Sequence, residues 1–220
     1  YWRDWSSDVC SSDLRPIITA TVGGEIEIGR VRWIGLTRLE VRDLTIRAPG
    51  WPGASGEVIS VERAGILLDA DALKRGAFLV DRVEVEGMVV RIAEDSAEPG
   101  RFSVLSLKPE IGDDGGSPPR RIDVTDFELQ MGVDRDGTWE RTGSLALAGD
   151  LRSEPGALGV YGFEFVTGEG MGSRSVLKGE LDTDSLAFNA SIDDLEVNTN
   201  LLGLMPMELR RVAQAMALQG

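Results

Sequence analysis

Alternation of apolar and polar residues with a period of two is the feature that most limits what this chain can fold into. Side chains of a β-strand point alternately to opposite faces of a sheet, so the pattern predicts strands with one buried face. Helix is predicted only as a turn at residues 70–75 and as a short C-terminal segment that begins near Pro206. Strands are predicted at residues 25–28, 38–48, 58–68, 122–133, 139–151, 158–166, 175–181 and 186–197, with two more inside 78–92. The chain is therefore expected to be all-β with a short C-terminal helix.

One local pattern occurs three times and interrupts the alternation at an Asp or a Gly. It reads apolar-x-apolar-x-(Asp or Gly)-apolar-x-apolar, with Asp43, Gly87 or Asp126 at the interruption, and a weaker copy lies at residues 192–197. In a flat strand the second apolar pair would point to the wrong face, whereas an extra residue or a tight bend returns it to the first. Asp and Gly tolerate the backbone angles that such a site requires. The repeat therefore predicts a strongly curved, largely antiparallel sheet with one continuous apolar side.

The first 14 residues are expected not to belong to the native protein. The stretch WSSDVCSSDL at residues 5–14 back-translates to a string that resembles a common short-read sequencing adapter, so residues 1–14 are left out of the fold. An anchor upstream of this point in the full-length protein would then be missing. The Gly- and Pro-rich residues 109–120 are predicted to link a first β segment, 15–108, to a second, 121–220.

Composition argues against several classes of function. The chain has no histidine, and its one cysteine, Cys10, lies in the adapter-like stretch. Ser-His-Asp and Cys-His nucleophiles, thiol redox chemistry and the usual zinc sites are therefore not expected. The net charge of −14 disfavours nucleic acid as a partner. Asp136-Gly137 is interpreted as a hairpin turn and not as part of a calcium loop. We expect no catalytic residue, cofactor or metal.

The order of these elements resembles a known family. The strand at residues 38–48, the strand at 58–68 and the turn Leu73-Lys74-Arg75-Gly76 lead into the stretch VDRVEVEGMVVRI at residues 80–92. The second half adds the step LKGELD at residues 177–182 and Leu204-Met205-Pro206 before the helix. This succession is similar to the N-terminal region of the AsmA-like envelope proteins, which are related to TamB and to the repeating β-groove lipid carriers.

The resemblance implies a taco-like open groove whose apolar inner face holds phospholipid acyl chains. It also implies a periplasmic location, an inner-membrane anchor upstream of this chain and a role in lipid transport between the inner and outer membranes. The family has no catalytic residues. The predicted groove residues are Leu39, Val41, Leu44, Ile46, Val83, Val85, Val90, Val124, Phe127 and Leu129.

Two other interpretations fit the same pattern. Alternating strands also build a closed β-sandwich, in which the apolar residues pack against each other and the loops of an extracellular module bind protein or glycan. A scaffold that assists outer-membrane protein assembly would share the open sheet but would offer its edge to client strands. Periodicity alone leaves the choice between an open groove and a closed core undecided.

Overall fold

The described part of the computed structural model comprises residues 24–76, 79–107, 119–154, 157, 159–167, 175–182, 187–193 and 202–215. Within it, nine strands form one sheet in which each strand lies beside the next along the chain. The strands are β1 (Glu25–Ile34), β2 (Arg38–Arg47), β3 (Glu57–Leu68), β4 (Val80–Asp95), β5 (Arg121–Arg135), β6 (Thr138–Ser153), β7 (Val160–Thr167), β8 (Val176–Asp182) and β9 (Phe188–Asp193). Helical elements are α1 (Gly53–Gly56), α2 (Ala70–Lys74), a 3₁₀ turn (Ser103–Ser106) and α3 (Met207–Ala215).

All neighbouring strands are antiparallel except β4 and β5, which run parallel. The chain must therefore return along the sheet between these two strands, through residues 96–120. Their pairing joins the first and second β segments into one sheet, and the predicted linker falls mostly outside the described residues. The sheet does not close into a barrel, and β1 and β9 are its edges. The predicted all-β, curved, largely antiparallel sheet with a short terminal helix is confirmed.

The prediction of two strands between residues 78 and 92 is wrong. A single strand of 16 residues, β4, runs through this stretch and continues to Asp95. Gly87, at φ +64°, does not end the strand, because the register with β3 is the same on both sides of it. The helical turn at residues 70–75 is confirmed as α2, which Asp69 caps and Gly76, at φ +79°, follows.

The interruptions seen in the sequence align in one row across the sheet, which we call the pivot row. It contains Gly29, Asp43, Glu62, Gly87 and Asp126, one residue from each of β1 to β5. Asp43 and Asp126 have φ values of +54°, in the left-handed region that few residues other than glycine adopt. In each of these five strands, the apolar residues switch between odd-numbered and even-numbered positions at this row, which we call a change of side-chain parity. Because all five strands switch in the same row, the apolar residues on both sides of it share one face of the sheet.

The change of parity ends at the boundary between β5 and β6. Val124 pairs with Gly149, but Phe127 pairs with Leu147, so β5 has one more residue than β6 between these two pairs. This extra residue is a β-bulge, which also increases the local twist of the sheet. In β6, Leu145, Leu147 and Leu151 all occupy odd-numbered positions, so they point to the same face without any change of parity.

The opposite face of the sheet, called the outer face, carries ladders of ion pairs. One ladder crosses six strands and consists of Glu27, Arg47, Glu57, Arg91, Gln130, Glu128 and Arg141. A second runs from Arg38 to Glu84, at 2.9 Å, and on through Arg82 and Asp123. Exposed ion pairs contribute little stability individually. Together they allow this face to meet water while the other face gathers the apolar residues.

Glu40 is the most deeply buried acid of the outer face. Its carboxylate accepts hydrogen bonds from Arg42 Nε at 2.8 Å and Arg32 Nε at 3.0 Å. The hydrogen bond from Arg42 is the largest influence on the pKa of Glu40, and the net effect holds that pKa below its ordinary value, against the opposing effect of desolvation. The ionised carboxylate therefore stabilises the fold at neutral pH.

We expect Asp126→Val to destabilise the protein by about 1–3 kcal/mol, since a β-branched residue is strained at a positive φ. Asp126→Asn and Asp126→Gly are the matched controls, because both residues adopt this conformation readily. Urea unfolding followed by circular dichroism measures the differences. Equal stability of the Val and Asn variants would show that the pivot row does not require its backbone angle.

We expect the stability difference between the wild type and Glu40→Gln to depend on pH. A carboxylate with a lowered folded-state pKa stabilises above its unfolded pKa, near 4.5, and this contribution is lost as the pH falls through the folded-state pKa. The difference should thus be largest at neutral pH and shrink in acid. Unfolding free energies across the pH range test this, with Glu27→Gln as an exposed control. A difference that grows on acidification would contradict the prediction.

Candidate functional site

The ten predicted groove residues all lie on one face of the sheet, which we call the apolar face. The register places Leu39, Val83 and Leu151 in one row of this face and Val41, Val85 and Val124 in another. Beyond the pivot row, the same face continues through Leu44 and Phe127. Every one of the ten except Val90 belongs to a single apolar cluster, and Val90 lies between Ile59 and Leu129 in the register.

Burial differs between the rows of the apolar face. The row that contains Val41, Val85 and Val124 is buried. Nearer the turn that joins β1 to β2, the next apolar row is more open, and we call it the terminal row. Its members are Trp33, Leu39, Ile66, Val83, Ile122, Leu151 and Phe163. Within it Leu39 is buried, Trp33 is exposed and the other five are half-buried. Apolar surface thus remains in contact with solvent at this end of the sheet.

Three phenylalanines form a continuous aromatic patch on the apolar face. The ring centroids of Phe127 and Phe165 are 5.7 Å apart, and those of Phe163 and Phe165 are 5.8 Å apart. Phe127 reaches Phe165 across β6 because Gly149 lies between them. A Cβ atom at Gly149 would come within 2.7 Å of Phe165 Cδ1. The sequence analysis found Phe127, but it missed this patch because strand pairing between β5, β6 and β7 had not been assigned.

The opposite end of the sheet, called the capped end, is covered by loops. Trp51, from the loop between β2 and β3, donates a hydrogen bond from Nε1 to Ser106 Oγ at 3.0 Å. Ser55 donates to Asp134 Oδ1 at 2.6 Å and so ties the same loop to the β5–β6 turn. Ser103 Oγ accepts a hydrogen bond from the amide of Ala93. Trp51, Val104, Leu107 and Leu204 all pack against the apolar cluster and cover part of it here.

Glu94 is the buried charged residue that holds the capped end together. Its side chain is almost fully buried, with 1% of the residue exposed. Oε1 accepts a hydrogen bond from Gly100 N at 3.1 Å, and Oε2 accepts one from Met207 N at 2.7 Å. One carboxylate therefore joins the segment after β4 to the N-terminus of α3, where a negative charge is favoured.

Helix α3 closes the capped end through polar contacts more than through its apolar residues. Arg210 donates hydrogen bonds to Thr142 Oγ1 and to the carbonyl oxygens of Gly203 and Met205, at 2.9–3.0 Å. Ala213 is buried against the rest of the protein, whereas Leu209 is exposed. The helical spacing of Leu209, Val212, Ala213 and Met216 in the sequence predicts one apolar side for this helix, but Leu209 and Val212 are exposed. The structure differs because Glu94 and Thr142 determine how the helix is oriented.

The described residues contain no group of three or more side chains that could hold a metal ion. The Asp136–Gly137 turn is a hairpin, as predicted, with both residues at positive φ. Asp134 is engaged by Ser55. In this same part of the chain, no helix is both long and apolar enough to cross a bilayer.

Comparison of the chain with protein-family models, with curated proteins and with solved structures gives no match.

We expect Glu94→Gln to loosen α3 and to destabilise the protein by about 1–3 kcal/mol. An amide can accept a hydrogen bond only through its oxygen, so one of the two backbone N–H donors would face an NH₂ group. Hydrogen–deuterium exchange of α3 measures the loosening, and urea unfolding measures the stability. Glu98→Gln, on the exposed part of the same loop, is the control. Unchanged exchange of α3 in Glu94→Gln would show that this carboxylate does not hold the helix.

Proposed function

We propose that the apolar face of this sheet holds the acyl chains of phospholipids in a periplasmic segment of an AsmA-like envelope protein. The segment supports movement of phospholipid between the inner and outer membranes, and the full-length protein is anchored to the inner membrane. The observation that carries this proposal is the single apolar face that spans the sheet and remains partly exposed along its terminal row.

A single sheet with one apolar face needs cover from another layer or from a ligand. In the described residues, loops and α3 supply cover at the capped end, and no second sheet packs on the apolar face. This arrangement favours an open groove over the two-sheet sandwich. Sheltering an acyl chain from water is worth about 0.8 kcal/mol per methylene group, so a row of half-buried apolar side chains such as Ile66, Val83 and Phe163 is a suitable binding surface.

The charged outer face supports the same interpretation. It faces water through paired guanidinium and carboxylate groups such as Arg38 and Glu84. A lipid headgroup needs no enclosed polar pocket, because it stays in water while only the tails lie on the apolar face. The resemblance to AsmA-like proteins supplies the cellular setting, which the geometry alone does not specify.

We expect the chain, directed to the periplasm by an added signal peptide and purified gently, to retain phospholipid. Val83→Asp should lower the retained amount about tenfold, since a charge in the terminal row would displace roughly two methylene groups. Val83 is half-buried, so the introduced carboxylate can reach water without unfolding the sheet. Mass spectrometry of organic extracts, compared with a mock purification, measures the lipid per protein.

Val89→Asp is the matched control. Val89 is also half-buried and lies on β4, but it faces outward between Ser60 and Glu128. This variant should retain lipid as the wild type does. Equal lipid content in a folded Val83→Asp variant, or a lipid-free and monomeric wild type, would contradict the proposal.

A further inference from the structure

We propose that the turn between β1 and β2 inserts into the surface of an anionic phospholipid bilayer and seats the open end of the apolar face on it. The apolar residues Trp33, Ile34 and Leu36 form this turn with Gly35, and we call them the hairpin tip. The inference rests on the proposed function, because it identifies the surface at which the apolar face would receive or release acyl chains.

The residues of the hairpin tip are unusual for a turn in water. Turns are normally built from Gly, Asn, Asp, Pro and Ser, and the Asp136–Gly137 turn at the capped end follows that rule. In the hairpin tip, Leu36 is 86% exposed, and Trp33 and Ile34 are exposed as well. Three large apolar side chains exposed at one turn are an arrangement that water does not favour.

The apolar side chains of the hairpin tip belong to both faces of the sheet. Trp33 pairs with Leu39 in the terminal row, on the apolar face. Ile34 pairs with Arg38, one residue further on, and so belongs to the outer face. Packing of the sheet onto a core would require an apolar residue on one face only. A hairpin tip with apolar residues on both faces is suited to insertion into a bilayer, where acyl chains surround it on all sides.

Arginines lie in a row directly behind the hairpin tip. Arg38, Arg82, Arg121 and Arg152 are aligned in the register in one row of the outer face near this end. Their carboxylate partners, Glu84, Asp123 and Asp150, lie one row further from the tip. Although the chain carries a net charge of −14, four guanidinium groups are thus aligned behind the hairpin tip, and the nearby acids Asp71 and Asp81 are paired with Lys74 and Arg120. Apolar residues followed by arginines match the order of acyl chains and anionic headgroups in a bilayer surface.

The apolar surface of the hairpin tip is continuous with the apolar face. Trp33 begins the terminal row, which continues through the half-buried residues Val83 and Phe163. Trp33 pairs directly with Leu39, so an acyl chain that entered beside the hairpin tip would first meet these two residues of the apolar face. At the capped end, Leu105 is the exposed large apolar residue of the 3₁₀ turn, and it serves as a comparison for the hairpin tip.

Vesicle co-sedimentation of the full chain tests the inference, with phosphatidylglycerol and phosphatidylcholine in about equal amounts. We expect wild type and Leu105→Asp to bind vesicles, and Leu36→Asp to bind at least about tenfold more weakly. Leu105 is 65% exposed, so its replacement controls for the loss of an exposed leucine at the capped end. Arg121→Gln combined with Arg152→Gln should weaken binding by about fivefold per charge, and binding should fall with salt.

Placement of a fluorophore adds a second readout. In a Cys10→Ser background, an environment-sensitive label at Leu36→Cys should shift to the blue on vesicle addition, and one at Leu105→Cys should not. Three results would overturn the inference: a wild type that does not bind vesicles, equal binding by Leu36→Asp, or a Leu36→Asp variant that only dissociates a wild-type dimer. Lipid retention that depends on Val83 while vesicles stay unbound would reject the membrane contact and leave the proposed function standing.

Discussion

The shared change of side-chain parity in the pivot row is the constraint on which the rest of the structure depends. Asp43, Gly87 and Asp126 adopt positive φ values in one row, so five strands turn their apolar residues to the same face on both sides of it. A change in only one strand would misdirect half of that strand's apolar side chains. An interruption of the alternation weakens a single strand locally. Because all five strands have the interruption in the same row, the sheet as a whole keeps one apolar face.

The two halves of the chain depend on each other through β4 and β5. The parallel pair aligns Gly87 with Asp126, so the pivot row passes from the first half to the second without a shift. A bulge in β5 then ends the row at β6. The outer-face ladder crosses the same boundary, from Arg91 on β4 to Gln130 on β5. The pivot row and the ladder both cross from β4 to β5, so both depend on the pairing of these two strands.

Local periodicity predicted the strands and the apolar face, including all ten candidate residues, because strand side chains alternate whatever their partners are. It missed the pivot residues Gly29 and Glu62, since neither is an Asp or Gly followed directly by an apolar residue. It also divided the stretch around Gly87 into two strands, since a glycine interruption resembles a turn. The contact of Glu94 with Met207 spans 113 residues, and no local pattern indicates a bond over that separation.

The two ends of the apolar face differ in a way that bears on its proposed use. At the capped end, Trp51 and Leu107 pack on it, and Glu94 holds α3 over the same end. At the other end, the terminal row is half-buried and leads to an apolar turn. A face closed at both ends would store a ligand, and one exposed along its length would lose stability to water. Ala72 of α2 and Tyr161 are buried at this second end, so it is partly covered as well. The proposed exchange of acyl chains would therefore take place along the half-buried terminal row, beside the hairpin tip.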